Sequence, residues 1–358
     1  MADQPVDALE RAIGALPIPG LPMTVAESRA AVAVDPGSLR ARVTLGFPPG
    51  DGAATLAAAI ARLPGAGPEP RVEWRVVPHA VQGNLTPLPG VRNVIAIASG
   101  KGGVGKSTTA VNLALALAAD GARVGVLDAD VYGPSQPLML GLLGAQPESL
   151  DGKTFEPLRA HGIETNSVGF LVREDTPVIW RGPMVTQAVQ QLALQTNWGN
   201  LDYLLVDLPP GTGDTQLTVS QKVPLAGAVV VTTPQDVATQ VARRGLAMFE
   251  KVGVAILGVI ENMSGMVCSR CGHEEPVFGE GGGRRLAEAA GVPLLGSVPL
   301  AGAIRAQTDS GRPPVVADPA GALATRYRQI ARRLAAEVAR RPADQSHKFG
   351  RIVVEEKK

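Results

Sequence analysis

The sequence predicts an α/β protein: a doubly wound, mostly parallel sheet with helices on both faces, preceded by a small α+β unit. Three observations carry this. Short, nearly continuous apolar runs recur at Val94 to Ala98, Val124 to Leu127, Tyr203 to Val206, Ala228 to Val231 and Ile256 to Ile260, each followed by a glycine-rich turn or a segment of helical length. Runs without alternation suit strands covered on both faces, and therefore a parallel sheet. The glycine-rich stretch SGKGGVGKST, Ser99 to Thr108, sits directly after the first run and before a helical stretch, TTAVNLALALAA. Ahead of residue 84 the pattern changes to the polar and apolar alternation of half-buried strands.

Taken in order, Leu9 to Leu16 reads as a short helix, and Ser38 to Phe47 (SLRARVTLGF) as an alternating strand. Ala53 to Leu63 reads as a second helix and Arg71 to Val77 (RVEWRVV) as another alternating strand. The segment NLTPLPGV, rich in proline and turn formers, supplies a linker. The expected division is a small α+β unit over 1–84, a linker over 85–93, the α/β domain over 94–342 and a C-terminal tail over 343–358. The last helix, Thr325 to Arg340, places Tyr327, Ile330, Leu334 and Val338 on one face, which suits docking on the sheet better than lying on a membrane. SHKFGRIVVEEKK beyond it reads as a frayed tail.

Composition narrows the function. A hydrophobic content of 45% is ample for a buried core, and Lys+Arg 34 against Asp+Glu 33 leaves a net charge of +1, so nucleic acid and anionic membrane are not expected partners. No apolar run reaches the roughly 18 residues of a membrane span, and the start, MADQPVDALERAIG, lacks the pattern of a secretory signal. A cytoplasmic protein is expected. The two cysteines, Cys268 and Cys271, suit a reducing compartment and lie too close for a framework disulfide. His79, His161 and His347 have no partners legible in the sequence and read as ordinary residues.

Gly100 to Ser107 fits G-x-x-x-x-G-K-[ST] in the strand-to-helix setting which that motif requires. Glycines let the backbone N–H groups of Gly100, Lys101, Gly102, Gly103, Val104, Gly105, Lys106, Ser107 and Thr108 turn toward phosphates, and the helix N-terminus adds its positive end. Lys106 is expected on the β- and γ-phosphates and the Ser107 hydroxyl on Mg²⁺. VLDAD and LLVDLPPGTGD end predicted strands in Asp128 and Asp207, which brings both carboxylates to the phosphate edge, with Mg²⁺ expected on Ser107, Asp128 and Asp207. Asp130 is the candidate for orienting the attacking water. Lys101 is a second cation that a plain loop of this kind does not need.

With Lys101 counted, KGGVGKST resembles the deviant Walker-A loop of the SIMIBI class of P-loop ATPases, which includes MinD, ParA and the nitrogenase iron protein. The resemblance implies that Lys101 reaches the nucleotide of a second subunit. A cation supplied in trans would stabilise the developing phosphate charge only once two chains have met. From about Val77 to Pro313 the motifs HAVQ, LPGVRNVIAIASGKGGVGKST, LDADVYGPS, WRGPMV, LDYLLVDLPPGTGDTQLT, VVVTTPQDVA, MFEKVGV, ENMSGMVCSRCG and FGEGGG resemble, in order, the Mrp (ApbC-like) iron-sulfur carrier ATPases. VTLGFPPG resembles the central strand of the small N-terminal domain that this family often carries. The resemblance implies contact of Asn262 with the nucleotide base, ATP and Mg²⁺ as cofactors, and delivery of a [4Fe-4S] cluster to apoproteins, with cluster scaffold proteins as further partners. Lys101, Lys106 and Asp130 are then the catalytic candidates of a slow ATP hydrolase.

Cys268 and Cys271, in MVCSRCGHEE, are spaced to grip one metal or cluster edge. Zinc or a [4Fe-4S] cluster wants four protein ligands, and two chains of this sequence would supply four thiolates. A cluster bridged across a homodimer agrees with what the family resemblance implies. A zinc site adding His273 and a distant ligand, a redox pair and two incidental cysteines remain alternatives here. So do a MinD- or ParA-type positioning ATPase with structural zinc, and an electron-transfer ATPase.

Overall fold

The computed structural model describes residues 4–83, 85–171, 182–268 and 270–344. The chain opens with α1 (Gln4–Gly14), β1 (Ala31–Val34), β2 (Ala41–Leu45), α2 (Gly52–Ile60) and β3 (Arg71–Trp74). These strands form a three-stranded sheet in the order β1-β2-β3, so the VTLGFPPG segment does supply the central strand. Both predicted strands are shorter than the alternation suggested. Pro48 and Pro49 follow β2, and β3 gives way to a proline at Pro78, neither of which can continue a ladder.

The larger part continues through β4 (Val91–Ser99), α3 (Lys106–Ala119), β5 (Val124–Asp128), α4 (Gln136–Met139), β6 (Leu158–Ala160), β7 (Ile163–Ser167), α5 (Gly182–Gln195), β8 (Leu201–Asp207), α6 (Asp214–Lys222) and β9 (Gly227–Thr232). It closes with α7 (Asp236–Lys251), β10 (Ile256–Val267), β11 (Glu274–Glu275), α8 (Gly282–Ala289), β12 (Leu294–Leu300), α9 (Gly302–Asp309), α10 (Pro314–Ala317) and α11 (Ala322–Ala339). β12, β10, β9, β4, β8, β5 and β7 lie side by side in that order, every neighbouring pair parallel. β6 and β11 add short antiparallel edges.

Alternate residues of one strand feed two cores, which explains the unbroken apolar runs. Ile95 and Ile97 of β4 join the core under α3 and α11, whereas Val94, Ala96 and Ala98 join the one under α5 and α7. α11 packs as its periodicity predicts, with Tyr327, Ile330, Leu334 and Val338 buried against the sheet and α3. The N-terminal sheet shares that core, since Val43, Leu45 and Phe47 cluster with residues of α3 and α11. Arg332 of α11 fastens the contact, with Nε 2.6 Å from Asp120 and Nη1 2.7 Å from Asp51.

One expectation needs correction. β4 begins at Val91, inside the predicted linker, because Val91 already pairs with Leu201 of β8. His79, which read as an ordinary residue, is buried with its Nδ1 2.9 Å from Asn93 Oδ1, and burial holds its pKa below the usual value. Ala343 bridges His79, and the Asp344 N–H donates to the Pro78 carbonyl at 2.9 Å. The segment SHKFGRIVVEEKK, expected to fray and including His347, lies outside the described residues, as do Trp180 and Arg181 of WRGPMV.

Candidate functional site

Parallel strands end on one edge, and that edge collects the predicted residues. β4 runs into the glycine-rich loop, and its neighbour β8 places Asp207 in register with Ile97. β5, on the far side of β8, places Asp128 in register with Asp207. Asn262 lies on β10 and Gln235 follows β9, so both reach the same edge.

Two glycines of the loop are fixed by space. A Cβ on Gly100 would stand 2.6 Å from the Ala242 backbone nitrogen of α7. Gly105 has a φ of 80°, which strains any side chain, and a Cβ there would displace the Asn262 amide. At Gly100 the obstacle is backbone, so a side chain would push the loop away from α7. α3 then opens at Lys106 with no side-chain cap, so its first N–H groups remain available to an anion. Gly102 and Gly103 face open space, leaving room for one.

Lys106 is buried, and its Nζ lies 2.5 Å from Asp207 Oδ1, 3.2 Å from the Ser107 hydroxyl and 3.6 Å from Asp130 Oδ2. The structure thus brings together Lys106, Ser107, Asp130 and Asp207 as the sequence predicts. Burial raises the Asp130 pKa, against the lowering pull of Lys106. Asp128 is fully buried, and burial together with the nearby Asp207 carboxylate pushes its pKa up to about 7. Its Oδ2 accepts from the Ser135 and Gln136 N–H groups and the Ser167 hydroxyl, and its Oδ1 from the Asp130 N–H. These bonds commit Asp128 to shaping the loop that carries Asp130.

Lys101 is half-buried, with Nζ donating to Gln235 Oε1 at 3.2 Å. Asn262 donates from Nδ2 to the Val104 carbonyl at 2.8 Å, so it braces the loop. Gln136, a residue the sequence reading passed over, is fully buried and donates to both Asp207 Oδ2 and the Ser107 carbonyl. The only sequence signal for it is a polar side chain between Pro134 and Pro137 at the start of a short apolar helix, a weak one.

Beyond Asn262, β10 continues to Val267 and turns at the cysteines into β11. At about 3.3 Å per residue, Cys268 stands at most about 20 Å along the chain from Asn262. The turn is a knuckle: the Gly272 N–H donates to the Cys268 carbonyl, and the Cys268 N–H to the His273 carbonyl. Backbone N–H groups of Arg270 and Cys271 favour the Cys268 thiolate and lower its pKa. Both thiols are free, Cys271 being exposed. Among the described residues no group of three His, Cys, Asp or Glu side chains, His273 included, is arranged to hold a metal ion.

A strand, a glycine-rich loop and an uncapped helix, with lysine and aspartate meeting at the loop, define a P-loop nucleotide hydrolase. A family model described as "ParA: NUBPL iron-transfer P-loop NTPase" matches residues 90–335. The chain belongs to that family. It is 56% identical over 257 residues to an iron-sulfur cluster carrier protein of Pseudomonas fragi, covering 72% of this chain and 90% of that one. It is 52% identical over 257 residues to the iron-sulfur cluster transfer protein NUBPL of Mus musculus, covering 71% and 79%. Among solved structures, a nucleotide-binding protein of Archaeoglobus fulgidus in complex with ADP is 37% identical, with a TM-score of 0.56 over 62% of this chain and 88% of that one. No helix among the described residues is long and apolar enough to cross a membrane.

Proposed function

We propose that the protein is an ATP-hydrolysing carrier that holds a [4Fe-4S] cluster between two copies of itself and passes it to apoproteins in the cytoplasm. The observation that carries this reading is the hairpin beyond β10: two free thiols per chain, with no third ligand arranged beside them among the described residues. Two chains supply the four thiolates that a cluster takes.

The nucleotide edge fits the same reading. The open N-terminus of α3 and the clear space beside Gly102 and Gly103 suit a polyphosphate. On nucleotide binding, Lys106 exchanges its carboxylate partners for the β- and γ-phosphates. Of the residues expected around Mg²⁺, Ser107 and Asp207 would hold the ion, while Asp128 orders the loop behind them. Mg²⁺ would supply charge neutralisation on the phosphate oxygens. Asp130 orients the water, its raised pKa suiting a group that also receives a proton. Lys101 leaves Gln235 and completes the partner chain's site, which makes hydrolysis depend on dimerisation. Asn262 ties this edge to the cysteines, because it braces the loop from the strand that ends at Val267, one residue before Cys268.

The test is transfer. Anaerobically loaded wild-type protein is expected to activate an apo-dehydratase that requires a [4Fe-4S] cluster, and Cys271→Ala is expected not to. Equal activation by the two proteins would refute the carrier reading.

A further inference from the structure

Gln136 holds a position that the reading above does not use. Its Nε2 donates to Asp207 Oδ2 at 3.0 Å and to the Ser107 carbonyl at 3.2 Å. Both partners are acceptors, so the amide has a single orientation: turned over, its oxygen would face two other oxygens. That orientation leaves Oε1 buried with no hydrogen-bond partner. An orphaned buried carbonyl is costly, and a folded site retains one where a ligand supplies the missing donor.

A second orphan lies in the same cluster. Asp130 Oδ1 is also buried without a partner, on the carboxylate whose Oδ2 is 3.6 Å from Lys106 Nζ. The two unfilled acceptors therefore flank Asp207 and Ser107, one reached through Lys106 and the other through the Gln136 amide. Mg²⁺ sheds water reluctantly and keeps several waters in protein sites, and each such water is a strong hydrogen-bond donor.

We propose that Gln136 is a positioning residue for Mg²⁺: Nε2 fixes the Asp207 carboxylate and the Ser107 backbone, and Oε1 accepts a hydrogen bond from water on the ion. This rests on reading the edge as a Mg²⁺-nucleotide site. A residue that merely holds the loop would affect nucleotide binding equally with and without the metal. One that orients the metal's ligands affects the metal-dependent part more than the rest.

The experiment uses the full chain and a fluorescent ADP analogue, titrated in EDTA and across a series of Mg²⁺ concentrations. Gln136→Leu is expected to raise the Mg²⁺ concentration for half-maximal tight binding about 10-fold or more, the usual cost of losing an outer ligand partner. Affinity in EDTA is expected to fall by a smaller factor than affinity in saturating Mg²⁺, because the loss of Nε2 also loosens Ser107 in the loop. Gln136→Met, which also preserves length and apolar packing, carries the same test if the leucine variant does not fold. An unchanged Mg²⁺ requirement in a folded variant, or an equal loss with and without Mg²⁺, overturns the proposal. Failure of the wild type to bind the analogue more tightly in Mg²⁺ would instead overturn the reading of the site on which it rests.

Discussion

Two stations along β10, Asn262 and the hairpin beyond Val267, are built in opposite ways. At the nucleotide edge, side chains meet already bonded to one another: Lys106 to Asp207, Gln136 to Asp207 and Ser107, and Asn262 to the loop backbone. At the hairpin, Cys268 and Cys271 stand on a turn with no third ligand beside them among the described residues, and the exposed Met266 and Val277 flank it. The first site is ready to take a small ligand from solution. On the proposed reading the second holds half of a donor set, and a second chain brings the other half. The difference then teaches where regulation would enter: nucleotide binds to one chain, whereas cluster binding waits for two.

The largest expected effect breaks the preassembled side of this comparison. Lys106→Ala removes the only cation paired with buried Asp207 among the described residues and is expected to abolish nucleotide binding in a titration with a fluorescent analogue. Leaving that carboxylate unpaired is expected to cost about 3–5 kcal/mol of stability in urea unfolding. Binding at wild-type strength would show that Lys106 is not the phosphate lysine.

Lys101→Ala sharpens the comparison, because Lys101 is proposed to act on the partner chain's site. Nucleotide binding is expected to persist, since the Lys101 ammonium donates to Gln235 here, while turnover falls about 100-fold or more, as when a donor to the transition state is lost. A mixture of Lys101→Ala with a second, binding-deficient chain separates the roles. Activity recovered only in the mixed dimer supports action in trans, and normal turnover in the pure variant contradicts it.

The smallest effect concerns His79, far from either site. Its native pKa lies below that of the unfolded chain because burial disfavours the imidazolium. The unfolded state therefore binds the extra proton, and stability is lost as pH falls below about 6.5. Urea unfolding between neutral and acidic pH is expected to show that fall, and His79→Gln to flatten it. A variant that loses stability with falling pH as steeply as wild type would show that His79 contributes nothing to the slope.

What the sequence made legible follows from physics that is local. Strands of the sheet interior appeared as continuous apolar runs because both faces are covered, and Asp128 and Asp207 were legible because an acid ending such a run must find a partner. β7 escaped notice for the complementary reason. Its residues IETNS are all buried yet mostly polar, satisfied by bonds such as Asn166 Nδ2 to Thr196 Oγ1 at 2.8 Å and the Ser167 hydroxyl to Asp128. Hydrophobic patterning is blind to a strand whose burial is offset by hydrogen bonds. Gln136 was hidden likewise, since its partners lie in α3 and β8, far away in sequence. The cysteine spacing was plain from the start, but the absence of a third ligand beside it depends on where the chain brings its other donors.

The central claim is that the hairpin is half of a shared site. It is tested most directly by anaerobic reconstitution with iron and sulfide, followed by iron, labile-sulfide and native-mass measurements on the same sample. Wild type is expected to run as a dimer with one [4Fe-4S] cluster per two chains, and Cys268→Ala as apoprotein without iron or sulfide. A cluster held by a single chain, or equal iron in wild type and variant, would contradict the account.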